Sequence, residues 1–91
     1  MAKMYPSWAT DDEVDANIPQ TREGWRAERH LYKLMRDGLP DKWSVLYDRV
    51  VSVVDGRTAQ LDFLVFVPGM GVCNVDAKGS GFHCRLFYLH K

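Results

Sequence analysis

The spacing of hydrophobic and polar positions changes near residue 43. Between residues 22 and 37 the apolar positions recur at helical spacing, with Thr21 as a candidate N-cap. The helix is expected to end in the segment Asp37-Gly38-Leu39-Pro40, with Gly38 in the left-handed conformation. Beyond residue 43, β-branched and aromatic residues dominate and predict strands. These strands cover residues 43–47, 50–54, 61–67, 72–77 and 82–89.

Two turn motifs predict how the strands connect. Asp55-Gly56 is typical of a tight hairpin, and Pro68-Gly69 suits the central positions of a type II turn. A helix followed by hairpin-linked strands indicates an α+β fold, with an N-terminal helix packed on a mixed, largely antiparallel β-sheet.

Length and charge limit the classes of protein to consider. At 91 residues the chain fits one domain, and its 12 basic residues balance its 12 acidic residues. This balance excludes a basic tail-type nucleic-acid binder and an acidic disordered chain. Residues 1–20 hold one lysine and four acids, so we expect an acidic leader at 1–20, pinned by Tyr5, Trp8 and Ile18, before a single domain at 21–91.

The expected location is the cytoplasm. The longest apolar run, residues 63–67, is far shorter than the ~20 residues that cross a bilayer, so no membrane contact is expected. The N-terminus also lacks a secretory apolar region. Cys73 and Cys84 form neither a CxxC pair nor a disulfide framework, and we expect free thiols.

The predicted helix separates its charges onto two sides. At about 100° per residue, one side carries a basic stripe, interpreted either as a solvated face or as a phosphate-contacting surface. The stripe consists of Arg22, Arg26, Arg29, Lys33 and Arg36. Glu28 projects between Tyr32 and Met35, on the face that must pack on the sheet. Because a buried carboxylate is costly, we expect it to meet a cation, a metal ion or a dense hydrogen-bond network.

Acids also interrupt the apolar strands. Asp62 lies within one apolar run, and on the next strand Asp76 and Lys78 are two residues apart and point the same way. One lysine cannot neutralise these two aspartates and Glu28, so the surplus negative charge indicates a divalent cation. Carboxylate oxygens suit Mg²⁺ or Mn²⁺, which also bind waters and phosphate oxygens.

This ordered set of residues resembles the PD-(D/E)XK nuclease superfamily and, within it, the nuclease-related domain (NERD) group. The resemblance spans residues 22–82. It is carried by Glu28, Gln60-Leu61-Asp62, Gly71-Val72 and Asp76-Ala77-Lys78-Gly79. It implies a restriction-endonuclease-like core that hydrolyses phosphodiester bonds of nucleic acid, with DNA as the expected partner and Mg²⁺ or Mn²⁺ as cofactor.

The resemblance also implies a role for each residue of the set. Asp62, Asp76 and the carbonyl oxygen of Ala77 would hold the metal ion, and Glu28 would hold its outer waters or a second ion. Lys78 would place or deprotonate the attacking water. The basic stripe would follow the phosphate backbone, and binding would weaken with salt.

The resemblance also implies that Gln60 orients one of these groups.

Three positions depart from the family pattern. Asp76 stands where the NERD group has glutamate, so the metal ion would sit nearer this strand. Phe63 replaces a histidine, and Ala27 stands where glycine is common. None of these changes removes a metal ligand.

The superfamily core continues with another helix and strand, whereas this sequence stops at Lys91, so we expect a truncated core. Three explanations are open: the sequence is a piece of a longer protein, residues 82–89 replace the missing elements, or a second copy supplies them. Because an unpaired edge strand or a bare sheet face favours association, we expect a homodimer.

Three alternatives compete with the nuclease. The first is a non-catalytic nucleic-acid-binding or interaction domain that keeps the nuclease fold. The second is a structural domain in which Asp76 and Lys78 simply pair at a strand end. The third is a zinc site, whose spacing matches no known finger. Its ligands would be Cys73, His83, Cys84 and His90.

Overall fold

Five strands and two helices follow one another in a computed structural model. It describes residues 1–52, 56, 58–78 and 81–87, with side chains described within 1–48, 56 and 62–76. The elements are β1 (Lys3–Tyr5), α1 (Asp11–Asn17), α2 (Trp25–Gly38), β2 (Ser44–Ser52), β3 (Thr58–Val67), β4 (Gly71–Lys78) and β5 (Gly81–Phe87).

The strands form one sheet in the order β1-β2-β3-β4-β5. β1 pairs with β2 in parallel, and every later neighbour pairs antiparallel. The α+β fold with a mixed, largely antiparallel sheet is therefore confirmed. The short parallel β1 was not predicted, because three residues are too few to show a strand pattern.

The core lies between the two helices and one face of the sheet. Alternate positions of β2 and β3 face it, which agrees with the predicted alternation around Asp62. From the sheet the core takes Val45, Tyr47, Phe63, Val65 and Cys73. From the helices and the residue that follows α1 it takes Val14, Ile18, Leu31, Tyr32 and Met35.

The first 20 residues contribute directly to this core. Val14 and Ile18 are fully buried, and Trp8 packs against the cluster, while Tyr5 is 45% exposed. The Tyr32 hydroxyl donates to the carbonyl oxygen of Pro6 at 2.6 Å and accepts from the backbone N–H of Trp8 at 3.0 Å. This phenol therefore fastens the segment after β1 to α2.

The helix boundaries differ from the prediction at both ends. α2 begins at Trp25, because Gly24 is its N-cap at φ 75° and no side chain caps it, so the expected start at 22 and the Thr21 cap are wrong. Gly38 belongs to the helix and is not left-handed. The cap at this end is Leu39, whose N–H donates to the carbonyl oxygen of Met35.

The two strands predicted at 43–47 and 50–54 are one strand, β2. The break in the sequence pattern corresponds to Asp48, whose φ of 59° lies in the left-handed region without ending the pairing with β3. Both predicted turns are supported, since Gly56 and Gly69 have φ of 72° and 78°. Residues 53–55 and 57 lie outside the described part of the chain.

The expectation of free thiols is wrong for Cys73, which is disulfide-bonded. Cys84 is the chain's only other cysteine and lies in β5, the neighbour of β4. Strand pairing brings these two sequence positions close, which their spacing alone does not reveal. The cysteines therefore do not argue for a reducing compartment, and a zinc site cannot use Cys73 as a thiolate.

No helix in the described ranges combines the length and apolar character that a bilayer crossing requires.

Replacing Tyr32 with phenylalanine tests how the N-terminal segment is held. The change leaves the Pro6 carbonyl and the Trp8 N–H without their partner, so we expect the free energy of unfolding to fall by about 1–3 kcal/mol. The control Tyr5→Phe alters a half-exposed ring and should change it by less than ~0.5 kcal/mol. Urea denaturation measures both, and equal stability of the two variants would contradict this role of the phenol.

Candidate active site

Glu28 is a buried acid on the sheet-facing side of α2. Gly24 starts the helix, and the Glu28 N–H donates to the Gly24 carbonyl oxygen at 3.1 Å, which places Glu28 in the first turn. Its residue exposure is 4%. The predicted burial is confirmed, and the expected cation is Arg22, whose Nε lies 3.2 Å from Glu28 Oε2.

Arg22 precedes α2 and connects it to the sheet. Its two terminal nitrogens donate to the two carboxylate oxygens of Asp48 in β2 at 3.0 and 2.8 Å. Its guanidinium carbon also lies 5.7 Å from the centre of the Tyr47 ring. We call this group the Arg22 clamp: Arg22, Glu28, Tyr47 and Asp48. The clamp joins the segment before the helix, the helix itself and a central strand.

The surroundings of Glu28 favour the neutral, protonated form of its carboxyl group. Burial raises the pKa of the Glu28 carboxyl, and the negative charges of Asp62 and Asp48 raise it further. Arg22 and the Tyr47 hydroxyl act in the opposite direction. Burial and the Glu28 charge also raise the pKa of Tyr47. Glu28 Oε2 is held by the ion pair with Arg22 and not by a hydrogen bond among the described residues.

The two strand aspartates occupy neighbouring positions of the sheet. Phe63 pairs with Val75, and the next residues outward from this pair are Asp62 on β3 and Asp76 on β4. Both side chains are half-buried. The sheet register therefore brings Asp62 and Asp76 to adjacent strands, as the sequence pattern requires for one shared site.

Asp48 extends this row of acidic positions onto a third strand. Tyr47 pairs with Phe63 and Arg49 with Leu61, so Asp48 and Asp62 both lie between these two pairs. Asp48 has a left-handed backbone conformation, and its side chain binds Arg22, which precedes α2. Asp48 thus belongs to the clamp. Sequence analysis missed this role, although the break in the strand pattern at this residue was its signal.

Three residues of the predicted site lie where the structure describes only the backbone. Gln60 is in β3, and Ala77 and Lys78 are in β4. Their side chains lie outside the described part of the chain, and their roles stay predictions.

The acids present fit a hard divalent cation better than a zinc site. In the described ranges no three His, Cys, Asp or Glu side chains come together as a metal-binding group. Mg²⁺ needs fewer protein ligands, since it binds through one or two carboxylates and keeps several waters. Asp62 and Asp76, at neighbouring positions of β3 and β4, are the two carboxylates that could supply such a pair.

The basic stripe lies largely against α1. Lys33 Nζ is 2.8 Å from an Asp15 carboxylate oxygen. Arg29 donates to the carbonyl oxygens of Ile18 and Asp15, both at 2.6 Å. The acids of the N-terminal segment therefore neutralise part of the stripe within the fold.

The remaining stripe residues differ from one another. Arg36 is buried and binds Asp37 and Asp11, so it is not part of a solvated face. Arg22 belongs to the clamp. Arg26 is exposed and its guanidinium carbon lies 5.1 Å from the Trp25 ring centre, with no ion pair among the described residues. Contact of this stripe with nucleic acid stays a prediction.

A cleft of about 250 Å³ opens beside the clamp. Arg22, Tyr47 and Asp48 line it together with Trp8 and Asn17. The clamp is therefore partly accessible from solvent, in keeping with the half-buried side chains of Arg22 and Asp48.

Comparison with protein families gives one match. The model of a family described as nuclease-related domain matches residues 23–87, which include α2 and strands β2 to β5. No curated protein and no solved structure matches the chain.

The raised pKa of Glu28 has a consequence for stability. Between its ordinary pKa of 4.5 and its raised value, the folded protein binds more protons than the unfolded chain. We therefore expect the free energy of unfolding to decrease as pH rises through this window, relative to Glu28→Gln, and the difference to level off above it. Urea denaturation in EDTA at a series of pH values measures it.

Glu23→Gln is the matched control, because Glu23 is exposed at the solvent. Its stability should follow that of the native protein at every pH. A native curve parallel to that of Glu28→Gln would show that Glu28 titrates normally.

Proposed function

Because the chain belongs to the nuclease-related domain family, we propose that it is a metal-dependent nuclease that hydrolyses phosphodiester bonds of nucleic acid, with DNA as its substrate. The observation that carries the proposal is the buried carboxylate of Glu28: burial raises its pKa, and the negative charge of Asp62 raises it further. A family match alone does not identify a site, whereas a buried acid on the first helix of the matched region, influenced by the charge of Asp62, supports one that includes both residues.

The proposed site assigns a task to each of its residues. Asp62, Asp76 and the carbonyl oxygen of Ala77 hold Mg²⁺ or Mn²⁺, which supplies charge stabilisation and a more acidic bound water. Lys78 orients the attacking water or accepts its proton. Glu28 accepts hydrogen bonds from waters at the site, and Gln60 helps to orient one of these groups.

A non-catalytic domain that keeps the nuclease fold is the second candidate. It is favoured by the lack of a three-residue metal-binding group among the described side chains. Such a domain would bind nucleic acid without cleaving it, and it would not need a divalent cation.

The proposal extends to the partners and the location of the protein. We retain nucleic acid as the partner, a homodimer as the assembly and the cytoplasm as the compartment. Sedimentation at high protein concentration distinguishes the dimer from a monomer.

Cleavage of circular and linear DNA tests the function directly. We expect cutting with Mg²⁺ or Mn²⁺ and none with EDTA or with Ca²⁺ alone. Asp76→Ala, Asp62→Ala and Lys78→Ala should each lower the rate by at least ~100-fold with folding intact, because each removes a group that acts at the reacting phosphate. Gel electrophoresis of the products, with circular dichroism of each variant, provides the measurement.

Asp12→Ala is the control, since Asp12 is exposed on α1. It should cut at the native rate. No cutting by the folded native protein would favour the non-catalytic domain, and full activity in all three site variants would reject the site.

A further inference from the structure

The Arg22 clamp fixes the orientation of its charged groups more closely than a single surface ion pair does. Arg22 offers three nitrogens, of which two bind Asp48 in a bidentate pair and the third faces Glu28 at 3.2 Å. A bidentate pair fixes the plane of the guanidinium as well as its position. The orientation of Arg22 toward Glu28 is therefore set by Asp48.

Asp48 adopts an unusual backbone conformation in this arrangement. Its φ of 59° places it in the left-handed region, inside a strand whose pairing continues on both sides. Aspartate and asparagine tolerate this conformation better than most residues. Backbone outliers of this kind are concentrated at functional sites, where the surrounding structure holds them in place.

The position of the clamp connects it to the proposed active site. Asp48 and Asp62 lie between the same two residue pairs of β2 and β3, and the charge of Asp62 acts on Glu28. Among the described residues, Arg22 is the cation that pairs with both Glu28 and Asp48. Loss of Arg22 would remove this partner from the buried Glu28 carboxylate.

We propose that Arg22 and Asp48 are positioning residues of the nuclease: Asp48 orients Arg22, and Arg22 fixes the position of the Glu28 carboxylate. This inference rests on the proposed function. It assigns the two residues to the reaction through Glu28, without contact with the substrate.

A purely structural clamp would also stabilise the fold, so the test must separate the two roles. Asp48→Asn preserves the shape of the side chain, and asparagine also tolerates the left-handed backbone. The change removes the negative charge that binds Arg22. Glu28→Gln removes the charge that Arg22 holds. If Asp48 acts through Glu28, the effect of Asp48→Asn must depend on which residue occupies position 28.

The experiment measures kcat and KM for DNA cleavage with Mn²⁺, and the Mn²⁺ affinity by calorimetry. We expect Asp48→Asn to lower kcat and the Mn²⁺ affinity by about tenfold or more while KM changes by less than ~3-fold. In the Glu28→Gln background, the same change should alter kcat by less than ~2-fold. Asp12→Asn on exposed α1 is the control and should match the native protein.

Arg22→Lys provides a second variant if Asp48→Asn does not fold. It keeps the positive charge but loses the planar fork, so it should lower kcat and the Mn²⁺ affinity in the same direction. The proposal is overturned if the folded variants keep native kcat and affinity, or if their losses are equal in both backgrounds. A native protein that neither cuts DNA nor binds Mn²⁺ overturns the proposed function and this inference together.

Discussion

The structure depends on one buried ion pair, between Glu28 on α2 and Arg22 just before it. A charged carboxylate between a helix and a sheet is costly unless a cation, a metal ion or hydrogen bonds compensate it, and here the compensating group is Arg22. Arg22 reaches the buried acid because Gly24, at a positive φ, lets the chain turn into the helix after it. Asp48 on β2 then fixes the arginine, so the start of the helix and the centre of the sheet are held in one arrangement.

A second set of charged residues links the two helices. The basic side of α2 faces the acidic α1, where Lys33 and Arg29 bind Asp15 or its carbonyl oxygen. α1 also buries Val14, while Tyr32 binds the backbone of the segment that leads to it. The acidic N-terminal residues therefore pack against α2 and contribute to the core.

Sequence patterns predicted the fold class, the antiparallel pairing and the burial of Glu28, because alternation and helical spacing are local properties. They did not predict β1, which is too short for a pattern, or the disulfide of Cys73, which depends on strand pairing. The role of Asp48 was hidden for the same reason: its break in the strand pattern suggested two strands instead of one left-handed residue. Contacts between distant residues decided these features, and local patterns do not encode them.

We propose that Asp62 and Asp76 hold a divalent cation. Anomalous diffraction from crystals soaked with Mn²⁺ tests it most directly, because the ion's own scattering locates it. We expect a peak within ligand distance of both aspartates, roughly 2.0–2.6 Å from their oxygens as for hard divalent cations. A peak only at other acids, or none in crystals where the two aspartates are open to solvent, would contradict the account.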